Sequence, residues 1–501
     1  MAAPVIAILV SLIGSLLIVV GIVLYTATGG DVRHFNDYGI SIDAGSSHSG
    51  VFLYSWSEDK KVVQKASCRV ENGIDDAEED TDKTVSQLMP CVEQMIEKIK
   101  DAEHSIPVIL RATAGMRLIN ARNKALVEKI FNAIYAGLNT LKNEYQKVPL
   151  EIERPGLLPG EKEGLFAWIA ANFISKIIPP KNREKPDSTV GTLEMGGASA
   201  QIAFETSPQN ANQKVKLFDQ TYHVKTYSNL CYGRDQAFNR LFSLLIQDSG
   251  NNKLQIKNPC GNPGVEDKIQ AKDLLEEICL NAPNGKNPLS ALPPEREYTF
   301  IGEPNDSDCK KYVSKMTQIA ECNRTFEKCP TINEGGVPND EIFFAFSNYF
   351  RATRGIPYLR DHDSLTLSQF LQAREKFCSI EWKTIENHAK RYCQNDAENC
   401  KKLCFSLFFI EGTLNDIYKF TADEWANIKY VKKINDTKMG WTLGQMLVAS
   451  NQMPGVKPKP PLLPAYGMVL MVLIGIILLI LGAIICRKVR SRREPYGQAS
   501  V

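Results

Sequence analysis

Two stretches of the chain show no alternation of apolar and polar positions. Val5–Tyr25 and Tyr466–Cys486 each run 21 residues without a charge. A helix needs about 20 apolar residues to cross a bilayer, so both read as membrane spans. Between them the pattern breaks into short pieces. Apolar runs ending at Asp43, at Val51–Tyr54 and at Pro107–Leu110 predict strands, whereas Leu88–Ile99 and Ala125–Tyr135 carry apolar residues at helical spacing. Strands alternating with helices predict an α/β ectodomain. "MPGVKPKPPLLP", Met453–Pro464, can form neither helix nor central strand and reads as a stalk before the second span. "ENGIDDAEED", Glu71–Asp80, reads as a solvated acidic loop, because its spacing lacks an EF-hand pattern.

One pattern occurs twice. In "GISIDAGSSHSGVFLY", Gly39–Tyr54, an apolar strand reaches Asp43, small residues follow, and a second strand begins. "GTLEMGGASAQIAF", Gly191–Phe204, repeats it, with Glu194 for Asp43 and Gly196 for Gly45. A single glycine-rich turn between strands would mean only a hairpin. Two of them, each with an acid at the strand end, predict two related domains facing each other, with a ligand held between their loops.

Charge and cysteine usage then place the domain. The formal net charge of +2 carries no electrostatic signature of nucleic-acid binding. Twelve of the thirteen cysteines fall between the spans, an even number that reads as disulfides in an oxidising compartment, in preference to zinc. Arg487, Lys488, Arg490, Arg492 and Arg493 follow the second span and place the C-terminus in the cytosol by the positive-inside tendency. The first span lacks a basic leading region and reads as a retained anchor, with a signal peptide cleaved near Ala27 as the alternative. Asn305, Asn323 and Asn435 open glycosylation acceptor triplets on the non-cytosolic side. Cys486 sits at the cytosolic membrane edge.

The loops suit phosphate chemistry. Small residues let backbone N–H groups approach phosphoryl oxygens, while Ser46, Ser47, His48 and Ser49 on one loop and Ser199 and Gln201 on the other add side-chain donors. Asp43 and Glu194 offer hard oxygen ligands, directly or through water, to Mg²⁺ or Ca²⁺. Thr113, Ala114 and Gly115 form a third small turn. In "GEKEGLFAWIAANF", Glu161 and Glu163 precede an apolar run, and a carboxylate shielded beside Trp168 could take a proton from water. Neither loop presents an activated nucleophile of the triad type.

The segments "DAGSSHSG", "ATAGMR", "EGLFAWIAANF", "EMGGASAQIAF", "CYGRDQ", "FFAFSNYF" and "GWTLGQML" occur in that order from Asp43 to Leu447. Together they resemble the ecto-nucleoside triphosphate diphosphohydrolases, the apyrase family. The resemblance implies two actin-like, ribonuclease-H-type α/β domains with the active site in the cleft between them, flanked by transmembrane helices. It implies an anchor at 1–29, a first lobe at 30–157 completed by 424–453, a second lobe at 158–423, a stalk at 454–465, a span at 466–486 and a cytosolic tail at 487–501. By motif, Glu163 matches the catalytic base, and Ser199 and Gln201 match the residues that position the attacking water. Asp43 and Glu194 match the pair that holds the water shell of the metal. Ser46, Ser47, His48, Ser49, Thr113, Ala114, Gly115, Gly196, Gly197 and Ala198 match phosphate-loop positions, and Tyr349 and Arg234 the nucleobase region.

Three departures stand out. Glu194 replaces the usual family Asp. Asn399 stands where the family's base-sandwiching arginine aligns, leaving Lys401 or Lys402 as substitutes. Cys393 and Cys400 add what reads as a local disulfide in an insertion. The resemblance pairs the others as Cys68–Cys91, Cys231–Cys279, Cys260–Cys309, Cys322–Cys329 and Cys378–Cys404. The function it implies is extracellular, Ca²⁺- or Mg²⁺-dependent hydrolysis of ATP, ADP, UTP and UDP by a two-span plasma-membrane enzyme, with the spans as a route to homo-oligomers. A Golgi-type nucleoside diphosphatase and a catalytically weak nucleotide-binding receptor are the alternatives.

Overall fold

A computed structural model describes residues 2–27, 36–46, 48–71, 73–74, 80–100, 102, 104–178, 188–250, 252–281, 286–317, 336–338, 340–393, 396–435, 437–454 and 465–491. Ser47, Asn323, Cys322, Cys329, the side chain of Cys393, most of the acidic loop and nearly all of the stalk lie outside the described residues.

The first unit is a pair of helices, α1 (Ala2–Ala27) and the C-terminal helix Ala465–Ser491. Both are long and apolar enough to cross a membrane. They pack through small residues. A Cβ on Gly14 would lie 2.7 Å from the Gly475 carbonyl, and one on Gly482 would overlap the Ser11 hydroxyl. Close backbone approach of this kind supplies the dispersion contacts that hold helices together in lipid.

The second unit, Asp37–Pro454, contains two large sheets. Strands β1 (Asp37–Ala44), β2 (Ser49–Trp56), β3 (Val63–Val70), β4 (Ile106–Ala112) and β5 (Leu150–Ile152) form the first in the order 3-2-1-4-5, and β6 (Gly156–Leu157) also pairs with β4. The second contains β7 (Gly191–Met195), β8 (Ser199–Glu205), β9 (Gln213–Leu217) and β10 (Gln220–Leu230). A small sheet of β11 (Gln255–Asn258), β12 (Glu266–Gln270) and β13 (Glu297–Gly302) follows, and β14 (Phe343–Ser347) and β15 (Ile428–Tyr430) then complete the second large sheet. Its order is 10-8-7-14-15, with β9 beyond β10. The two orders match strand for strand. Each begins with an antiparallel pair, β1–β2 or β7–β8, and then adds a parallel strand beside the first, β4 or β14. This repeated topology is the duplicated actin-like architecture.

Burial explains the strand patterns. On β1, Ile40 and Ile42 face one core while Ser41 and Asp43 face the other side of the sheet. Helix α2 (Thr81–Ile96) starts earlier than the apolar spacing predicts, because the Asp80 side chain caps the Lys83 N–H at 2.9 Å. It covers the first sheet together with α3 (Ala114–Arg122) and α4 (Lys124–Glu144). Helix α5 (Gly160–Ile174) is apolar nearly all round, since it lies in a core shared by Tyr54 and Trp56 of the first sheet and by Ala203, Tyr222 and Val224 of the second. The stretch 424–453, expected to complete the first lobe, is divided: Ile428–Tyr430 joins the second sheet beside β14, whereas the helix Thr442–Gln452 packs on β1, β2 and α5.

Four of the implied disulfides are present: Cys68–Cys91, Cys231–Cys279, Cys260–Cys309 and Cys378–Cys404. Cys400 is also disulfide-bonded, and Cys486 is free and exposed.

Candidate active site

Both acids stand at the ends of equivalent strands. Asp43 is paired with Gly50 on β2 and Arg111 on β4, one residue before the turn. Glu194 is paired with Gln201 on β8 and Phe346 on β14, also one residue before the end of its strand. The turns face each other, since a Cβ built on Gly197 would sit 3.7 Å from the Ser46 hydroxyl. The third turn joins them: the Thr113 N–H donates to the Ala44 carbonyl at 3.2 Å, and Ala114 begins α3. A helix N-terminus therefore opens beside the first loop, where its free N–H groups favour an anion. Ser49 is buried within β2, opposite Ala44.

The Glu194 turn is held by helix α6 (Arg234–Ser249). Arg234 N–H donates to the Gly196 carbonyl at 3.0 Å, Asp235 N–H to Gly197 at 2.9 Å and Cys231 N–H to Ala198 at 2.8 Å. A Cβ on Gly233 would lie 2.3 Å from the Ala198 nitrogen, so glycine is required for this approach. The Gly196 N–H donates to the Ser199 carbonyl at 2.9 Å and closes the turn on itself.

Glu163 lies in the first turn of α5, with its side chain 8 % exposed. Arg117, from the "ATAGMR" segment, donates through Nη1 to Glu163 Oε2 at 2.9 Å and to the Leu158 carbonyl at 2.7 Å. Its Nη2 donates to Ser199 Oγ at 3.1 Å. Gln201 Nε2 donates to Ser199 Oγ at 2.7 Å, to Ser228 Oγ at 3.1 Å and, more weakly, to Glu163 Oε2 at 3.4 Å. Glu163, Ser199 and Gln201 thus form one network, and Arg117 ties its members together. Glu161 is exposed and lies outside it.

Three carboxylates converge here. Burial, then the Glu163 charge, pushes Asp43 up to about 7, opposed by Trp441 and Lys438. The Trp441 indole nitrogen itself falls outside hydrogen-bond geometry, so its opposing influence is weak. Burial, Glu163 and Asp43 raise Glu194 well above the carboxylate range, with Arg117 opposing. Glu194 Oε2 is buried and has no hydrogen-bond partner. Such an orphaned oxygen among mutually repelling acids is the environment a divalent cation with its water shell would relieve. Among the described residues no three acids, histidines or cysteines stand close enough to ligate a metal directly. The orphaned Glu194 oxygen and the Asp43 charge beside it fit the pair expected to hold a cation.

On the opposite side of the phosphate loops the charge is positive. Burial, followed by the Arg69, Lys438 and Arg351 charges, lowers His48 to about 4, so its imidazole is neutral at physiological pH.

The expected base-binding residues are arranged differently. Tyr349 is 0 % exposed, within the core of the second half, and cannot stack on a ligand. It sits on the helix Asn348–Gly355, whose inward stripe is Asn348, Tyr349, Ala352 and Thr353, so Arg351 points outward in its place. Arg234 is 8 % exposed, and Asp235 and Asn399 hold its guanidinium. Lys402 donates to Asp235 Oδ1 at 2.9 Å. Burial pushes Asp235 up, but Arg234 and Lys402 outweigh it and hold its carboxyl below the usual range.

The residue patterns pointed to Glu161, Glu163, Ser199 and Gln201 but passed over Arg117, although it stands in "ATAGMR": nothing near it in the chain signals a contact 46 positions away. Ser228 and Arg69 lie on alternating strands and carried no signal.

The matches to known proteins agree with this geometry. The model of the GDA1/CD39 (nucleoside phosphatase) family matches residues 32–460. The chain is 29 % identical to ectonucleoside triphosphate diphosphohydrolase 1 of Bos taurus, over 90 % of this chain and 89 % of that protein. It is 28 % identical to ectonucleoside triphosphate diphosphohydrolase 2 of Mus musculus, over 97 % and 99 %. The crystal structure of nucleoside triphosphate hydrolases from Neospora caninum aligns with a TM-score of 0.59 at 16 % identity, covering 83 % of this chain and 92 % of that one, a likeness of fold. The family match spans both sheets, every site motif and the cleft acids, and the chain belongs to the GDA1/CD39 family of nucleotide-hydrolysing enzymes.

Proposed function

We propose that this protein hydrolyses nucleoside tri- and diphosphates to monophosphates and orthophosphate, with its cleft on the extracellular side of the plasma membrane. The observation that carries the reading is the Glu163–Arg117–Ser199–Gln201 network set against two phosphate-sized turns. Ser199 and Gln201 orient a water toward the terminal phosphorus. Arg117 and Gln201 both donate to Glu163 Oε2, which leaves Oε1 to accept the water's proton as the new P–O bond forms. The P–O bond to the bridging oxygen breaks, and the shortened nucleotide leaves. The turns at Gly45–His48, Thr113–Gly115 and Gly196–Ala198 hold the non-reacting oxygens. Asp43 and Glu194 would hold Ca²⁺ or Mg²⁺ through its water shell, and the ion would neutralise the phosphate chain. The two apolar helices would anchor the domain, and the basic residues after the second support a cytosolic C-terminus, with the N-terminus on the same side if both helices span.

Phosphate release from ATP, ADP, UTP and UDP added to intact cells tests this. Expected is release that stops with excess chelator and with Glu163→Gln. Release only after cell permeabilisation would overturn the extracellular placement, and full activity in chelator would overturn the metal requirement.

A further inference from the structure

Among the described residues, cations that suit a phosphate chain surround the cleft, whereas the expected base contacts are engaged elsewhere. Tyr349 is sealed in the core, Arg234 is pinned by Asp235 and Asn399, and Lys402 is paired with Asp235. The cations around the phosphate loops come from both halves. Arg69 on β3 stands opposite Gly50, which itself stands opposite Asp43. Arg351 lies in the first turn of a helix anchored to the second loop, where Asn348 Nδ2 donates to the Gly196 carbonyl at 2.9 Å. Lys438 belongs to the short hairpin Lys433–Ile434/Thr437–Lys438, which leads directly into Trp441 beside Asp43. All three side chains are exposed. Arg69 is shared with Glu71 in a pair 47 % and 76 % exposed, weak enough to be released to a phosphate.

We propose that the same cleft hydrolyses linear inorganic polyphosphates, tripolyphosphate being the simplest, because Arg69, Arg351 and Lys438 can grip a phosphate chain while, among the described residues, the expected base contacts Tyr349 and Arg234 are buried or held by other side chains. The proposal rests on the hydrolytic reading above. A guanidinium fork matches phosphate oxygens and gains little from a neutral ring. With the three cations beyond the turns, further phosphates occupy the place a nucleoside would take. The step is the same: the water oxygen bonds to the terminal phosphorus, the P–O bond to the bridging oxygen breaks, Glu163 takes the proton, and orthophosphate leaves a chain shortened by one phosphate.

The test uses the full-length protein in detergent, assayed for orthophosphate release from tripolyphosphate, ATP and ADP at one fixed free divalent-cation concentration. Expected is a kcat/KM for tripolyphosphate within about tenfold of that for ATP, abolished by Glu163→Gln. Replacing Arg69, Arg351 and Lys438 together with alanine is expected to raise the tripolyphosphate KM by more than about tenfold while changing kcat less. ATP hydrolysis with tripolyphosphate turnover below about a hundredth of it would show that the nucleoside is required, overturning the proposal and leaving the nucleotidase reading intact. Hydrolysis of neither would overturn both, and tripolyphosphate turnover that survives Glu163→Gln would overturn the assignment to this cleft.

Discussion

The turn after Asp43 and the turn after Glu194 sit on equivalent strands of two sheets with the same order, yet they are supported in opposite ways. The first is hydroxyl-rich, contains His48, and is tied to its surroundings by Ile74 N–H donating to the Gly45 carbonyl at 3.0 Å. The second is nearly bare backbone, with three successive carbonyls taken up by the start of α6 and the chain just before it. Around the first are cations and the α3 N-terminus. Around the second are Glu163, Gln201 and Ser199, with Arg117 reaching in from the first half. Duplication supplied two equivalent turns, and on the proposed reading their neighbours make one a binding loop and the other the reacting side.

The sharpest way to break this comparison is at Glu163. Glu163→Gln keeps the shape and removes the proton acceptor, so turnover should fall ~10²–10⁴-fold. Nucleotide binding, read by isothermal titration, should change little. Retention of more than about a third of wild-type turnover would remove Glu163 from the role of base.

Next in size is Arg117→Lys, which keeps the charge but loses the fork that joins Glu163 to Ser199. Misplacing the base and the water-holding hydroxyl should lower kcat by up to ~10²-fold with KM nearly unchanged. A rise in KM alone would instead make Arg117 a substrate contact.

A third test separates the two glycines of the second turn. A Cβ on Gly197 would stand 2.8 Å from Asp235 Oδ2, whereas on Gly196 it would meet nothing closer than the Ser199 carbonyl at 3.5 Å. Gly197→Ala should destabilise the domain by about 1–3 kcal/mol through this overlap. Gly196→Ala should stay within about 0.5 kcal/mol. Thermal unfolding of both variants checks the order, and equal shifts would mean that the turn is not clamped as described.

The smallest expected effect concerns the acid that distinguishes the loops. Mg²⁺ demands near-octahedral geometry, while Ca²⁺ accepts longer and more variable contacts, so the extra methylene of Glu194 should be tolerated better with Ca²⁺. Glu194→Asp should therefore raise ATP hydrolysis with Mg²⁺ more than with Ca²⁺. An equal or larger loss with Mg²⁺ would mean that the loop has already absorbed the longer side chain.

Much of this was legible in the residues because it depends on local pattern. Charge-free stretches of 21 residues can bury their backbone polar groups in lipid only as helices, and the structure has helices at both. The strand–acid–glycine–strand pattern occurs twice because each sheet needs a tight turn at the same place, and both turns are there. The pair Glu161 and Glu163 could be named because it precedes an apolar run beside Trp168, and the family resemblance singled out Glu163.

The tertiary structure alone decided which side chains meet. Arg117 and Glu163 lie 46 positions apart, and their contact depends on two sheets meeting over a shared helix. Tyr349 and Arg351 differ by two positions in a helix of eight residues, too short for its apolar period to fix its phase. The chain enters that helix through Ser347 at φ 58, a conformation that the surrounding packing imposes on a non-glycine residue. That entry turns the tyrosine into the core and the arginine outward toward the cleft. Local residue pattern determined what kind of site this is. Its electrostatic character was set by helix phase and domain packing, because Coulomb interactions depend on distance through space rather than along the chain.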